Sequence, residues 1–300
     1  MIIIEGVDKA GKTTLAKTLS EKLGWPIEKF GIPNGDPIPG YIDRLKNISA
    51  PVIFDRFIYG EVPYSIVKKR ERYMQSTELT VLDLMVQSIP HLVLYVRPKR
   101  STILDRIMAL KDDYINEDEA IRLYDEYDAL FENVEADVVT IDEKLANDTD
   151  AIVSIIADFV NADNFDEYLT WKKFNMEGIG NLTPTWLFVG ERYNPNAKYQ
   201  ATFCSKSGEY LFKCIRKADV NLRKCHFVNA LNSELRPITP KYLSNLTPSK
   251  VISLGAVADS VLNNSCGIKT VVSLPHPAYW SRFNADKEDA YVNMLRTACF

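Results

Sequence analysis

Residues 6–13 read Gly6-Val7-Asp8-Lys9-Ala10-Gly11-Lys12-Thr13, a G-x-x-x-x-G-K-T pattern. Residues 1–5 before it form an apolar run of strand length, and leucines and alanines recur at helical spacing over residues 13–23 after it. Strand, glycine-rich turn and helix N-terminus in that order are what a phosphate-binding loop requires. Its successive backbone N–H groups and the positive end of the helix dipole cradle phosphate oxygens. Lys12 is then placed to reach the β- and γ-phosphates, and the Thr13 hydroxyl to ligate Mg²⁺. The run from Gly6 through Thr13 and Thr14 is therefore expected to bind ATP. A chance glycine turn carrying Lys-Thr would not come with both flanking elements.

The rest of the first half supplies the frame such a loop needs. Residues 31–37, rich in Pro and Gly, must be irregular. Compact apolar runs at 51–55, 91–96 and 136–141 read as buried parallel strands, the first ending on Asp55. Helical patterns at 78–88, 100–110 and 117–133 separate them. This alternation predicts an α/β fold with a doubly wound parallel sheet, ligands lying at the carboxyl ends of the strands. The loop and the pair Asp55-Arg56 both fall at such ends, although a structural ion pair there is an open alternative.

Three stretches, Glu5-Gly6-Val7-Asp8-Lys9-Ala10-Gly11-Lys12-Thr13-Thr14, Asp55-Arg56-Phe57 and Leu94-Tyr95-Val96-Arg97-Pro98, resemble the thymidylate kinases and related deoxynucleoside monophosphate kinases, over roughly residues 1–160. The resemblance implies a P-loop kinase domain at 1–163 that uses ATP and Mg²⁺. In that family the carboxylate matching Asp8 contacts the acceptor's sugar, and the pair matching Asp55-Arg56 manages magnesium and the acceptor's charge. Thr13 and Asp55 are thus the expected metal ligands. Phosphoryl transfer also needs cations on the equatorial oxygens. Some family members place a basic residue in the loop, where this chain has Lys9; others place arginines in a lid. The lid region here, 108–113, offers only Lys111, so Lys9 and Lys12 are expected to do that work, with Asp8, Asp55 and Arg56 completing the catalytic set. The basic run Lys68-Lys69-Arg70-Glu71-Arg72 is more simply a solvated helix face.

Composition bounds the remainder. The 300 residues suggest two domains, and 46% hydrophobic content suffices for their cores. No apolar run reaches the roughly 18–20 residues of a membrane helix, and residue 1 opens directly into a strand, so neither membrane nor leader peptide is expected. The five cysteines show no C-x-x-C spacing; reduced thiols in a cytoplasm, the host's for a viral chain, are the expectation. Residues 1–165 carry a net charge of −10 and residues 166–300 one of +6. An acidic half joined to a basic half suggests that the second half meets a polyanion.

Residues 164–183 read as a linker. Beyond it, apolar runs at 186–189, 224–231, 251–254 and 271–274, with helical patterns at 256–262 and 285–298, predict a second, smaller α/β domain over 184–300. Val189-Gly190-Glu191 followed by Asn194-Pro195, Ile252 to Ala258, and Leu274-Pro275-His276-Pro277 are similar to the uracil-DNA glycosylase superfamily. There the first motif carries the polar water-activating residue, and the His-Pro motif contacts the base. Base capture needs a tight pocket, polar groups for the base edge and a basic flank for the strand. Gly190, Glu191, Asn194 and His276 are the candidates for the base; Tyr193, Tyr279 and Trp280 for stacking; Arg192, Lys198 and Arg282 for phosphate. The Gly190-to-Asn194 spacing departs from that superfamily's patterns and the segment is short for a full glycosylase, which speaks against base excision and leaves base binding open. His91 and His226 lie in apolar strand patterns and read as structural.

Three functions fit these features. The favoured one is a kinase acting on a base within DNA, similar to the viral thymidylate-kinase-like enzymes that phosphorylate 5-hydroxymethyluracil. The others are a free deoxynucleoside monophosphate kinase with an accessory DNA-binding domain, and a bifunctional kinase and glycosylase. The reason to favour the first is that a target buried in a base stack explains the joining of these two domains.

Overall fold

A computed structural model describes residues 1–110, 114–173, 177–192, 194, 197–266 and 271–300. The chain divides into two compact units, residues 1–75 with 89–168, and residues 76–88 with 169–300.

The first unit is built on strands β1 (Ile2–Glu5), β2 (Ile27–Lys29), β3 (Ile53–Asp55), β4 (Leu92–Val96) and β5 (Val138–Ile141). They form a parallel sheet in the order β2-β3-β1-β4-β5. β1 and β4 are buried throughout, as central strands covered on both faces must be. β2, with its exposed Ile27 and Lys29, sits at the edge and carries no apolar run by which the sequence could reveal it. β1 and β3 end side by side, Ile4 opposite Asp55, and this delivers the glycine loop and the Asp55-Arg56 pair to the same carboxyl end of the sheet.

The second unit contains β6 (Ile179–Gly180), β7 (Trp186–Arg192), β8 (Cys225–Leu231), β9 (Lys250–Leu254) and β10 (Val271–Leu274), in the order β10-β9-β7-β8-β6. The first four are parallel, and β6 runs antiparallel to β8. On one face of this sheet Leu187, Val189, Val228, Ala230 and Val251 meet Tyr242, Leu243, Leu246, Ala258 and Leu262; on the other Phe188 stacks on Phe227 (5.1 Å), which Phe212 meets edge-on (5.2 Å). His226 is buried and structural: it accepts or donates at Nδ1 to the Asn181 carbonyl (2.9 Å) and at Nε2 to the Tyr242 hydroxyl (2.8 Å), and burial lowers its pKa to about 4.

Two features differ from the sequence expectation. The stretch expected to be a linker holds a helix, Ala162–Lys172, and then β6; Phe165 and Tyr168 are buried although polar residues on either side mask the pattern. The helix Ser76–Gln87, expected to cover the first sheet, instead belongs to the second unit, where it packs on β6. Ser88 at its end exchanges two hydrogen bonds with Gly180, donating Oγ to the carbonyl (3.1 Å) and accepting from the N–H (2.8 Å). Arg216 donates to Thr80 at 2.7 Å.

Candidate functional site

Backbone conformation shapes the loop between β1 and the helix Lys12–Leu23. Gly6 has φ 141° and a side chain there would run into the Val96 carbonyl oxygen, so only glycine fits. Gly11, at φ 107°, caps the helix in the left-handed region with no side-chain hydrogen bond, leaving the first helical N–H groups aimed outward. Lys9 also has a positive φ, 64°. The Lys12 ammonium is 4% exposed and donates to the carbonyls of Gly6 (2.8 Å) and Val7 (2.7 Å). Burial, with repulsion from Arg56, lowers its pKa to about 8 against the pull of Asp8, Glu5 and Asp55.

Thr13 donates its hydroxyl to Asp55 Oδ2 at 2.6 Å. The other oxygen of Asp55 is buried and has no hydrogen-bond partner. A buried carboxylate oxygen left unpaired beside a hydroxyl oxygen is a fitting donor set for a hard divalent cation. The residues present therefore fit Mg²⁺ held by Thr13 and Asp55.

Arg56 follows at φ 70° and forms an ion pair with Asp8 across the site. Glu5, which sequence reasoning left as the last residue of a strand, fixes this turn. Fully buried, it accepts from the backbone N–H groups of Phe57 (2.8 Å) and Gly60 (3.3 Å) and from the Tyr127 hydroxyl (3.2 Å). Burial raises its pKa, and these donors with Lys12 and Arg56 oppose the rise. An acidic residue inside an otherwise apolar strand was the available signal.

Beside Lys9 and Lys12, a third cation stands at the loop. Arg106, on the helix Arg100–Leu110, donates through Nη1 to the carbonyls of Lys9 (2.9 Å) and Ala10 (3.2 Å). No local spacing links it to the loop, and it lies just before the lid at 108–113, of which Lys111, Asp112 and Asp113 lie outside the described residues. Lys9, Lys12, Thr13, Arg56 and Arg106 all line one cleft of about 460 Å³, which extends to Ala146 and Thr149 after β5.

Arg56 also lines a second, tighter pocket with Phe30, Tyr41, Phe57, Tyr64 and Tyr127. Its volume is about 30 Å³, room for one or two waters, so any larger group must spread the walls. Phe57 stacks on Phe54 (4.4 Å between centroids) and meets Phe30 and Tyr41 edge-on. Tyr41 donates to Glu61 at 2.8 Å, and burial raises the Glu61 pKa. Arg70, from the basic run read as a solvated face, also lines this pocket, and its Nε is buried without a hydrogen-bond partner. Lys68 of the same run pairs with Glu119 at 2.7 Å.

In the second unit the carboxyl ends of β7, β8 and β9 and the turn after β10 surround a cleft of about 810 Å³. Gly190, Glu191, Arg192, Asn194, His276 and Arg282 all line it. Tyr193 and Pro195 lie outside the described residues. Two further wall residues carried no signal in the sequence, Asn229 within β8 and Phe203. A Cβ on Gly190 would lie 2.7 Å from Asn229 Oδ1 and 2.9 Å from Phe203 Cζ, so the glycine lets both close over the strand end. Phe203, at φ 60°, is braced edge-on by Phe227. His276 Nδ1 accepts from the Ala278 N–H (3.1 Å), which places the ring proton on Nε2. Burial lowers its pKa, Arg282 adds to the effect and Glu191 opposes it. The proposed stacking and phosphate residues fare differently. Tyr279 pairs with Phe283, and Trp280 turns its N–H to the Lys287 carbonyl (3.2 Å). Lys198 lies over the Tyr199 ring. None of the three is among the residues lining the cleft.

Over its first half the chain is similar to solved structures of nucleoside and nucleotide kinases. Among them, the YorR protein of Bacillus subtilis, in complex with phosphorylated GDP, is 23% identical, the match covering 53% of this chain and 99% of that one with a TM-score of 0.45. For deoxyadenosine kinase from M. mycoides with bound dCTP the values are 21%, 53%, 100% and 0.36. For thymidylate kinase from Candida albicans they are 21%, 52%, 89% and 0.32. No protein-family model and no curated protein matches the sequence.

Proposed function

We propose that the first unit is an ATP-dependent, magnesium-requiring phosphotransferase, and that its acceptor is a pyrimidine. The finer reading is the hydroxymethyl group of 5-hydroxymethyluracil within DNA. The observation that carries the proposal is the convergence of Lys9, Lys12, Arg56 and Arg106 on one cleft, with Arg56 shared by an aromatic pocket beside it. Charge spread over the oxygens of a transferring phosphoryl group is what such preorganised cations stabilise. In that reading the acceptor's hydroxyl oxygen attacks the γ-phosphorus, the bond to the β–γ bridging oxygen breaks and ADP leaves. Asp8 Oδ2, buried and without a hydrogen-bond partner, takes the hydroxyl proton. Magnesium, when bound at Thr13 and Asp55, supplies charge neutralisation on the β- and γ-phosphates.

The case for an acceptor inside DNA rests on the second unit. Its part of the sequence is basic where the first is acidic. Its cleft offers an aromatic wall at Phe203, an amide at Asn229 and a neutral imidazole at His276, a set suited to a base edge and face. This agrees with the resemblance to uracil-DNA glycosylases. A free nucleoside monophosphate acceptor is the second reading, favoured by one observation: the unpaired Arg70 Nε suits an anionic group in the aromatic pocket. Transfer from γ-labelled ATP to duplex DNA containing 5-hydroxymethyluracil, to the free monophosphate of the same nucleoside and to thymidylate separates the readings. Label on DNA alone supports the first, label on free nucleotides alone the second, and no label on any acceptor removes both.

A further inference from the structure

Glu5 does more than close a turn. Its Oε1 accepts from the N–H groups of Phe57 (2.8 Å) and Gly60 (3.3 Å), and its Oε2 from the Tyr127 hydroxyl (3.2 Å). Phe57, Gly60 and Tyr127 all line the aromatic pocket. Arg56, immediately before Phe57, lines both that pocket and the phosphate cleft. One fully buried side chain at the end of β1 therefore stands behind walls of both cavities.

The turn needs such an anchor. Arg56 sits at φ 70°, a region that an L side chain occupies only where its surroundings impose it. Its own N–H donates to the Ile4 carbonyl (3.0 Å), and the next N–H along, that of Phe57, donates to Glu5. Two consecutive residues of β1 thus clamp the left-handed residue, one through its main chain and one through its side chain. A Cβ on Gly60 would lie 3.0 Å from the Tyr127 hydroxyl and 3.3 Å from Glu5 Oε2, so the glycine lets both groups close over the turn. Tyr127 is fixed in its turn by stacking on Tyr95 (5.9 Å), the residue opposite Glu5 on β4. In a central strand an apolar residue would avoid the cost of desolvating a charge. A side chain of this length with an acceptor oxygen is what the two buried N–H groups require.

We propose that Glu5 is a positioning residue for phosphoryl transfer: acting through Phe57, Gly60 and Tyr127, it fixes the backbone that carries Arg56 and keeps the two cavities in register. This rests on the reading of those cavities as the donor and acceptor sites. Glu5 is not among the residues lining either one, so its effect reaches the reacting groups only through the residues it holds. Loss of that hold lowers turnover and acceptor binding and leaves nucleotide binding at the loop in place.

The test separates reach from charge. Glu5→Asp keeps the charge and withdraws the carboxylate by one methylene from Phe57 and Gly60; Glu5→Gln keeps the reach and an acceptor oxygen and removes the charge. On the full chain and both variants the measurements are melting temperature, calorimetric binding of ADP and of thymidine monophosphate, and transfer from γ-labelled ATP to the acceptor that the parent labels. ADP affinity should match the parent's in both variants. In Glu5→Asp turnover should fall about 10²-fold, the usual loss for a displacement of about 1 Å that starts away from the reacting groups, and thymidine monophosphate should bind more weakly. Glu5→Gln should recover most of both. Parent-like turnover in Glu5→Asp, an equal loss in Glu5→Gln, or a loss of ADP binding that accounts for the loss of turnover would overturn the proposal. Should Glu5→Asp fail to fold, Glu5→Gln still decides: turnover near the parent's supports reach over charge, and a loss of about 10²-fold contradicts it. A parent that labels no acceptor and binds no thymidine monophosphate removes the reading of the cavities, and the proposal with it. A working parent with indifferent variants removes the proposal alone.

Discussion

Thr13 Oγ1 and Asp55 Oδ2 lie 2.6 Å apart although 42 residues separate them in the chain. The contact exists because β1 and β3 are adjacent and end in register, so the first helical hydroxyl meets the last strand carboxylate. Asp55→Asn keeps the shape and removes the charge that would hold a cation. Turnover should fall on the order of 10²–10³, the usual effect of losing one preorganised electrostatic group, and the magnesium concentration for half-maximal rate should rise. Magnesium titration together with thermal melting checks this. An unchanged magnesium requirement with a large drop in melting temperature would make Asp55 a structural residue only.

Arg106 is exposed and donates to the loop carbonyls of Lys9 and Ala10. Arg106→Ala should therefore leave the melting temperature unchanged and lower the turnover number about 10²-fold or more. A larger effect on ATP affinity than on turnover would assign it to ground-state binding instead.

Lys12 gives the site a pH signature. Its pKa is lowered to about 8 in the free protein, so the ammonium is progressively lost as pH rises through that value. The lowered value also means that this group favours the unfolded chain below about pH 8, and that the penalty disappears as pH climbs towards the ordinary lysine pKa of about 10.4. Phosphate binding needs the charged form, so ATP affinity should fall up to about tenfold per pH unit above about pH 8. ATP binding near pH 8 should take up a proton. Calorimetry in buffers of different ionisation enthalpy measures that uptake, and Lys12→Met should abolish it.

The helix Ser76–Gln87 makes a prediction about truncation. Val81, Leu82, Leu84 and Val86 on it are at most 1% exposed, and the strand it packs on, β6, lies beyond residue 168. A chain ending at residue 168 keeps the helix and loses that partner. Each of these side chains is worth up to about 1.5–3 kcal/mol when buried, against a total stability of about 5–15 kcal/mol for a domain. The truncated chain should aggregate or melt without cooperativity; a sharp transition in its melting curve would contradict this.

How far the sequence shows these features depends on how local the cause is. The phosphate-binding loop was legible because its glycines, lysine and flanking periodicities lie within twenty-odd consecutive residues. The parallel strands β1, β3 and β4 were legible because central strands are continuous apolar runs. The edge strand β2, two of its three residues exposed, carries no such pattern. Arg106 was not found because its place arises only when a helix distant in sequence meets the loop. Phe203 and Asn229 come together only over Gly190, a contact that no spacing announces.

The central claim is transfer of the γ-phosphoryl group of ATP to a base hydroxyl within DNA. Its most direct measurement is to incubate the full chain with magnesium, ATP and duplex DNA carrying 5-hydroxymethyluracil, digest the product to nucleoside monophosphates with a nuclease and no phosphatase, and identify the modified nucleotide by mass spectrometry and phosphorus NMR. The account predicts one phosphoryl group esterified to the hydroxymethyl oxygen, absent with Lys12→Ala and absent from DNA containing only thymine. Unmodified 5-hydroxymethyluracil in the digest, with phosphate recovered instead on free nucleotides supplied in parallel, would contradict it.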